Sequence, residues 1–146
     1  MHPILSQYLD DLSTMFEINT KNESELFEYF CNYVITSRSF LGRFDPRDIT
    51  TQDDDASIDG ISFIIDGELI LSLDDAKEAF ETHKNSLPVE IIITQVKSGE
   101  QFKKENISNF KLGIDDFLSI EQNLPNGKYN SDSIKILNTI VSNVKK

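Results

Sequence analysis

The most constraining feature of the sequence is the run from Val89 to Lys97, which reads Val-Glu-Ile-Ile-Ile-Thr-Gln-Val-Lys. β-Branched residues favour strands, and a near-continuous apolar run is typical of a central strand that is buried on both faces. A second run of this kind covers residues 58–65, and Asp66-Gly67 after it is a strong signal for a hairpin turn into a returning strand at 68–71. The chain is therefore expected to form a small sheet and to bury it.

Helical patterns lie on both sides of these strands in the sequence. Apolar residues at helical spacing predict a first helix over 4–18, and a capping box formed by Asn22 and Glu25 begins a second helix that ends near Ser37. A capping box at Ser72 and Asp75 predicts a short helix between the second and third strands. Two further helices are predicted. The first carries Ile107, Phe110, Ile114, Phe117 and Leu118, and the second is amphipathic with an inner face of Ile134, Leu137, Ile140, Val141 and Val144.

This order of elements predicts an α/β domain of the α+β kind, with one small mixed sheet of about three strands flanked by helices. A chain of 146 residues suits a single domain over 1–146. No window reaches the roughly 18 apolar residues of a membrane span, and the N-terminus lacks the pattern of a signal peptide. The one cysteine, Cys31, has no partner for a disulfide, so we expect a cytoplasmic protein without membrane association.

The formal net charge of -11 argues against simple binding of nucleic acid, because an acidic surface repels phosphates. Carboxylates that hold a cation nevertheless change sign locally once the ion is bound. The basic residues are also clustered before and after the strands. Candidates for contact with nucleic-acid phosphates are Arg38, Arg43, Arg47, Lys103 and Lys104. The alternative for the loop arginines is an ion pair with the neighbouring Asp45 or Asp48.

Three polar residues at strand ends form the candidate catalytic set. Because strand side chains alternate between faces, Gln95 and Lys97 point the same way. Asp59 begins the first strand, directly before Gly60, a residue that allows another group to approach closely. If the two strands are neighbours, a carboxylate, an amide and an ammonium converge at one edge of the sheet. The alternative is that these are solvated residues where strands emerge from the core.

Such a set suits metal-assisted hydrolysis of a phosphodiester. Mg²⁺ or Mn²⁺ prefers oxygen ligands, which Asp59, the Gln95 side chain and the Val96 backbone carbonyl would supply. The metal would activate a bound water, and Lys97 would orient that water or stabilise the transition state. Asp55 is a further candidate ligand in the acidic run 53–55, for which a solvated loop is the alternative.

The same residues carry a resemblance to a known family. Asp59-Gly60 followed by Gln95-x-Lys97 resembles the PD-(D/E)XK nucleases, in the variant of the Mrr-type restriction endonucleases where glutamine replaces an acidic residue. Three separated segments, 37–46, 53–60 and 94–102, together resemble the N-terminal domain of AIPR proteins, which are bacterial abortive-infection phage-resistance proteins. The similarity runs from about residue 23 onward.

The resemblance implies a restriction-endonuclease-like core, a nuclease acting on nucleic acid, taken here as DNA, and a role in antiphage defence. It also implies a catalytic carboxylate on the first core helix, for which Glu28 matches best in position although it lies off the apolar face. The family's fold expects a further strand, whereas this chain ends in a helical pattern. Family members are usually longer, so we expect association with a C-terminal region, a partner protein or a second copy as a homodimer.

Two alternatives belong to other classes of protein. The chain could be a catalytically inactive nuclease-like scaffold, which its acidic surface favours. The segment from Asp55 to Asp66, with Ser57, Asp59 and Gly60, also partly matches a calcium-binding EF-hand loop. The match is incomplete, because a strand rather than a helix is predicted to leave the loop.

Overall fold

A computed structural model describes residues 2–51, 58–82, 87–97, 104–119 and 128–144, the first four residues of the last range as backbone only. Five α-helices and three strands follow the order that the sequence predicted. Their bounds are α1 Pro3–Phe16, α2 Glu23–Ser37, β1 Gly60–Ile65, β2 Glu68–Ile70, α3 Leu73–Thr82, β3 Val89–Thr94, α4 Lys104–Phe117 and α5 Lys128–Val144. The predicted α+β fold class is confirmed.

The described part of the segment between α2 and β1 contains a 3₁₀ helix over Pro46–Ile49. Its N-cap is Asp45, whose side chain accepts a hydrogen bond from the Arg47 backbone N–H. Thr50 follows directly and forms an isolated antiparallel bridge with Gly60, the first residue of β1. This segment therefore lies against the start of the central strand, although its polar sequence gave no sign of a buried position.

The three strands are arranged in the order β2-β1-β3, and both pairings are antiparallel where a mixed sheet was expected. The prediction that the apolar run of β3 is a central strand was wrong, since β1 lies in the centre and all six of its residues are buried. β3 is an edge strand among the described residues. Its apolar residues Val89, Ile91 and Ile93 pack against the main core. The apolar run is therefore explained by packing on the face of the strand and does not require a neighbouring strand on each side.

The two faces of the sheet are covered by different helices. The main core joins Ile61, Phe63 and Ile65 of β1 to residues of α3, α4 and α5. The alternate residue Ser62 faces α2, where its hydroxyl lies 3.4 Å from the buried Thr36 hydroxyl. A smaller apolar cluster holds α1 against α2.

Some predicted helix faces differ from the observed ones. The buried residues of α2 are Asn32 and Thr36, because this face meets polar groups of the sheet. Two residues predicted to lie on the inner face of α5 are exposed, Val141 by 49% and Val144 by 74%, whereas Leu137 and Ile140 of that face lie in the main core. None of the described helices has the length and apolar character of a membrane-spanning segment.

Candidate functional site

The start of β1 and the end of β3 lie side by side. Gly60 pairs with Thr94 at the end of the antiparallel ladder. Asp59 directly precedes this pair on one strand, and Gln95 directly follows it on the other. The structure therefore brings together the two segments that the sequence singled out, although Gln95 and Lys97 lie beyond the last residue of β3 rather than within it.

The Asp59 carboxylate is held against the segment that contains the other two candidate residues. Its Oδ2 atom accepts a hydrogen bond of 2.7 Å from the backbone N–H of Val96, the residue between Gln95 and Lys97. This distance is typical of a charge-assisted hydrogen bond to a carboxylate. A carboxylate offers about four acceptor positions, so this bond is compatible with a bound cation.

The backbone of Asp59 departs from the regular ladder. Its N–H donates to the Thr94 carbonyl at 2.8 Å, although the register partner of Thr94 is Gly60. Two residues of one strand therefore oppose one residue of the other, which is the arrangement of a β-bulge. A bulge interrupts the alternation of side chains, so the direction of the Asp59 side chain is set by its hydrogen bonds.

The Asp59 carbonyl is directed away from β3. It accepts hydrogen bonds from the Asn32 side-chain amide and from the Thr51 backbone N–H, both at 3.1 Å. These two bonds occupy both lone pairs of the carbonyl. The Val96 N–H consequently bonds to the Asp59 side chain instead of to a backbone carbonyl of the neighbouring strand.

A buried polar network surrounds this backbone. Asn32 is 1% exposed, and its amide nitrogen also donates to the Thr50 hydroxyl oxygen at 3.0 Å. The Thr94 hydroxyl donates to the Asn32 carbonyl oxygen at 2.5 Å, and the Thr50 hydroxyl donates to the Pro46 carbonyl at 2.7 Å. The network thus connects α2, the 3₁₀ helix and β3 around Asp59.

Sequence reasoning missed these network residues. Asn32 and Thr36 are one turn apart on α2, and Thr94 is the polar residue that ends an isoleucine run. These polar residues at otherwise apolar positions were the available signal. The sequence did predict that Gly60 permits a close approach, and a Cβ placed there would overlap the Asn32 and Thr94 side-chain oxygens.

Glu28 lies one helical turn before Asn32 on α2, so both residues are on the same side of the helix. Its side chain is half-buried. This places the candidate helix carboxylate on the side of α2 that approaches Asp59. Burial and, to a lesser degree, the Glu28 charge raise the pKa of the nearby Cys31 thiol, which makes that cysteine a poor nucleophile.

The remaining candidate residues around Asp59 differ in exposure. Gln95 and Val96 are half-buried, whereas Lys97 is exposed and can meet a ligand from solvent. Lys104 is the exposed first residue of α4. The candidates Asp55 and Lys103 lie outside the described residues.

Two of the three candidate arginines contact the end of α1. Arg47 makes a bidentate ion pair with Asp45, its Nη2 atom lying 2.7 Å from Oδ2, and donates to the Phe16 carbonyl at 2.9 Å. The hydrogen bonds that Arg47 donates to Asp45 hold the pKa of the Asp45 carboxyl below its ordinary value. Arg43 donates to the Met15 carbonyl at 3.3 Å and lies over the Phe16 ring. The pairing alternative is thus observed for Arg47.

Arg38 has a different position from the other two arginines. It is the exposed C-cap residue of α2, and its backbone N–H donates to the last carbonyls of that helix. A guanidinium at this place is compatible with contact to a phosphate. All three arginines and the lysines remain candidates for binding nucleic acid.

Two oxygen ligands of the calcium-loop alternative, Asp59 and Asp66, are far apart, while Asp55 and Ser57 lie outside the described residues. Asp59 precedes β1 and Asp66 follows it in the hairpin turn, so an extended strand of six residues separates them. At about 3.3 Å per residue the two carboxylates lie on the order of 20 Å apart. One calcium ion binds oxygens at 2.3–2.6 Å, so Asp59 and Asp66 cannot share it. This geometry counts against the EF-hand interpretation.

The described residues around Asp59 do not include a cluster of acidic, histidine or cysteine ligands. Within the part of the chain that the structure describes, no three side chains of histidine, cysteine, aspartate or glutamate form a group that could hold a metal ion. A cation at Asp59 would therefore depend on amide and backbone oxygens and on water. Such a set suits Mg²⁺ or Mn²⁺, which usually keep several waters.

Comparisons of the chain with models of known protein families, with curated proteins and with solved structures find no match. The resemblance to the AIPR and PD-(D/E)XK families therefore rests on the sequence segments described above.

Proposed function

We propose that this chain is a metal-dependent nuclease domain of the PD-(D/E)XK type. Asp59 is the anionic metal ligand, the Gln95 side chain and the Val96 backbone carbonyl are neutral ligands, and Lys97 is the catalytic cation. The observation that carries this assignment is the hydrogen bond between Asp59 Oδ2 and the Val96 N–H, which fixes a carboxylate beside the Gln95–Lys97 segment.

The chemistry divides between the ion and the side chains. A bound Mg²⁺ or Mn²⁺ supplies an activated water and neutralises negative charge on the phosphate. Asp59 is fixed at its backbone and at one carboxylate oxygen, so it offers a pre-positioned ligand. Lys97 is exposed next to this ligand and stabilises the charge that develops as the phosphodiester bond breaks. Glu28, on the facing side of α2, is the candidate second carboxylate.

The biological setting in this proposal comes from the family resemblance. It comprises DNA as the substrate, the bacterial cytoplasm as the location, and antiphage defence as the role. It extends to association with a C-terminal region, a partner protein or a second copy of the chain. The lone cysteine is compatible with a reducing compartment.

The decisive experiment compares two identical substitutions at opposite ends of β1. Asp59→Asn keeps an oxygen that can accept the Val96 N–H but removes the charge that binds a cation. Asp66→Asn makes the same change in the hairpin turn, where asparagine tolerates the observed positive φ. Cleavage of plasmid and single-stranded DNA is measured in Mg²⁺ and in Mn²⁺. We expect Asp59→Asn and Lys97→Met to lower the rate by roughly 100-fold or more, and Asp66→Asn to leave it unchanged.

A scaffold without catalysis is the second candidate. The net charge of -11 favours it, as does the use of the Asp59 carboxylate in a hydrogen bond that also stabilises the fold. Wild-type protein that leaves every substrate uncut and does not bind Mn²⁺ would support the scaffold. Cleavage that survives Asp59→Asn unchanged would show that the active site lies elsewhere.

A further inference from the structure

The Asn32 side chain on α2 donates a hydrogen bond directly to the Asp59 carbonyl. It lies a helical turn before Thr36 and is similarly buried, each residue being 1% exposed. The two differ in what they contact. The Thr36 hydroxyl lies 3.4 Å from the Ser62 hydroxyl, whereas the Asn32 side chain bonds to the Asp59 carbonyl, the Thr50 hydroxyl and the Thr94 hydroxyl.

We infer that Asn32 is a positioning residue, which acts through Asp59 by setting the direction in which that carboxylate points. The catalytic consequence of this inference rests on the proposed nuclease function, whereas the structural consequence does not. The Asn32 amide and the Thr51 N–H fix the Asp59 carbonyl, and the Thr94 carbonyl fixes the Asp59 N–H. With both backbone groups held, the bond from Cα to Cβ has one direction, which leads the carboxylate to the Val96 N–H.

The Thr94 hydroxyl fixes the orientation of the Asn32 side-chain amide. A side-chain amide can rotate by half a turn and exchange its oxygen and nitrogen, which would turn an acceptor towards the Asp59 carbonyl. The Thr94 hydroxyl donates to the Asn32 oxygen and therefore selects the orientation in which the amide nitrogen faces Asp59. Thr94 is thus expected to matter through its hydroxyl group and not through its shape.

The first measurement does not depend on catalysis. The Val96 amide resonance in a ¹⁵N NMR spectrum should shift when Asp59→Asn removes the carboxylate charge, because the two groups share a hydrogen bond, and the size of this shift is the Val96 response. We expect Asn32→Ala to lose most of this response. Thr36→Ala truncates the neighbouring buried residue on the same face of α2 and should keep the response. Retention of the full response in folded Asn32→Ala would overturn the inference.

A pair of substitutions at Thr94 separates positioning from stability. Thr94→Val keeps the branched shape and removes the hydroxyl, whereas Thr94→Ser keeps the hydroxyl and lowers strand propensity. If Asn32 and Thr94 position Asp59, the Val96 response is lost in Thr94→Val and rescued in Thr94→Ser. A purely structural role predicts instead that the response follows the urea midpoint of each variant, and that outcome would also overturn the inference.

The catalytic consequence is tested with Mn²⁺ as the probe. Broadening of the Val96 and Gly60 amide resonances gives the affinity of Mn²⁺ at the site, and DNA cleavage gives the rate. Loss of a group that orients a metal ligand typically weakens metal binding or activity by about 10–100-fold, so we expect this range for Asn32→Ala and Thr94→Val and no change for Thr36→Ala. Wild-type protein that neither binds Mn²⁺ nor cuts DNA contradicts the nuclease, while the Val96 response still decides whether Asn32 positions Asp59.

Discussion

The two ends of β1 carry the same dipeptide in different environments. Asp66-Gly67 forms the hairpin turn, where both residues have positive φ angles of 52° and 80° and both are exposed. Asp59-Gly60 lies at the other end, where the glycine is buried and the carboxylate bonds to the neighbouring strand. A Cβ added to Gly67 would meet nothing, whereas one added to Gly60 would overlap side chains from α2 and β3.

The comparison shows that one dipeptide can have two physical meanings. At the hairpin end, glycine is needed for a backbone conformation that L-residues seldom adopt. At the Asp59 end, glycine is needed because a helix and a strand bring polar atoms close to its Cα. The first requirement can be recognised from neighbouring residues, but the second depends on residues distant in the sequence.

The largest expected effect distinguishes the two glycines. Gly60→Ala forces the Asn32 and Thr94 side chains apart in a packed interior, so we expect a loss of about 3 kcal/mol in the free energy of unfolding. Gly67→Ala only places an alanine in the left-handed region, at a cost of about 1 kcal/mol. Urea unfolding of both variants measures the difference. Equal losses would mean that the crowding around Gly60 relaxes at little cost.

A double mutant sharpens this prediction. The Asn32→Ala background lacks the Asn32 oxygen, one of the two side-chain oxygens that the new methyl group would overlap. Gly60→Ala should therefore cost less in this background than in the wild type. Gly67→Ala should cost the same in both backgrounds, because nothing lies near it. An additive result at Gly60 would show that Thr94 alone causes the overlap.

Much of the fold followed from local patterns in the sequence. The hairpin turn at Asp66-Gly67 and the cap at Asn22 depend on residues within one turn of each other, and both are confirmed. The approach of Asp59 to the 95–97 segment was expected if the two β-prone runs were neighbours, and they do pair. Strand order did not follow, because an apolar run measures how well the faces of a strand are covered and not how many strands adjoin it.

The support around Asp59 could not be predicted in this way. Asn32 and Thr94 are 62 positions apart in the chain, and each is a polar residue whose type alone favours an exposed position. Burial of such residues becomes favourable only when all partners are in place, because a half-satisfied polar group costs free energy. The helical pattern of apolar residues therefore identified the face of α2 that packs against α1, but not the polar face that meets the sheet.

The next prediction concerns α2, the helix whose Asn32 side chain bonds to Asp59 at the start of β1. Tyr29, in the helical turn before Asn32, donates its hydroxyl to Glu25 at 2.7 Å. Burial and then this bond raise the pKa of Tyr29 to about 12 from an ordinary value of 10.0. A raised folded pKa gives stability that is present below the unfolded pKa and lost as the pH rises through the folded one. Wild type should therefore lose stability between about pH 10 and 12 relative to Tyr29→Phe.

Urea unfolding at several alkaline pH values measures this difference. The hairpin variant Asp66→Asn should follow the wild-type curve, since Tyr29 and its Glu25 partner are unchanged in it. Parallel curves for wild type and Tyr29→Phe would mean that the tyrosine hydroxyl has no share in holding α2.

The smallest expected effect lies in the segment that leads to Thr50. The Arg47 hydrogen bonds lower the pKa of Asp45, the cap of the 3₁₀ helix that precedes Thr50. A lowered folded pKa gives stability that is present above the unfolded pKa, near 4, and lost as the pH falls through the folded one. Because the pair is partly exposed, we expect Arg47→Met to cost less than about 1 kcal/mol at neutral pH and less again in acid, where the bond from Arg47 to the Phe16 carbonyl remains but the ion pair is lost.

A second ion pair provides the control for this acid dependence. Lys111 and Asp115 lie 3.0 Å apart on α4 and are more exposed than Arg47 and Asp45. Lys111→Met removes a cation in the same way but leaves the segment before Thr50 intact. We expect it to change neither the acid unfolding curve nor the Val96 amide resonance, whereas Arg47→Met should change both. Identical behaviour of the two variants would show that the segment from Asp45 to Thr50 holds its place beside Asp59 without help from its ion pair, and that α2 alone distinguishes the two ends of the strand.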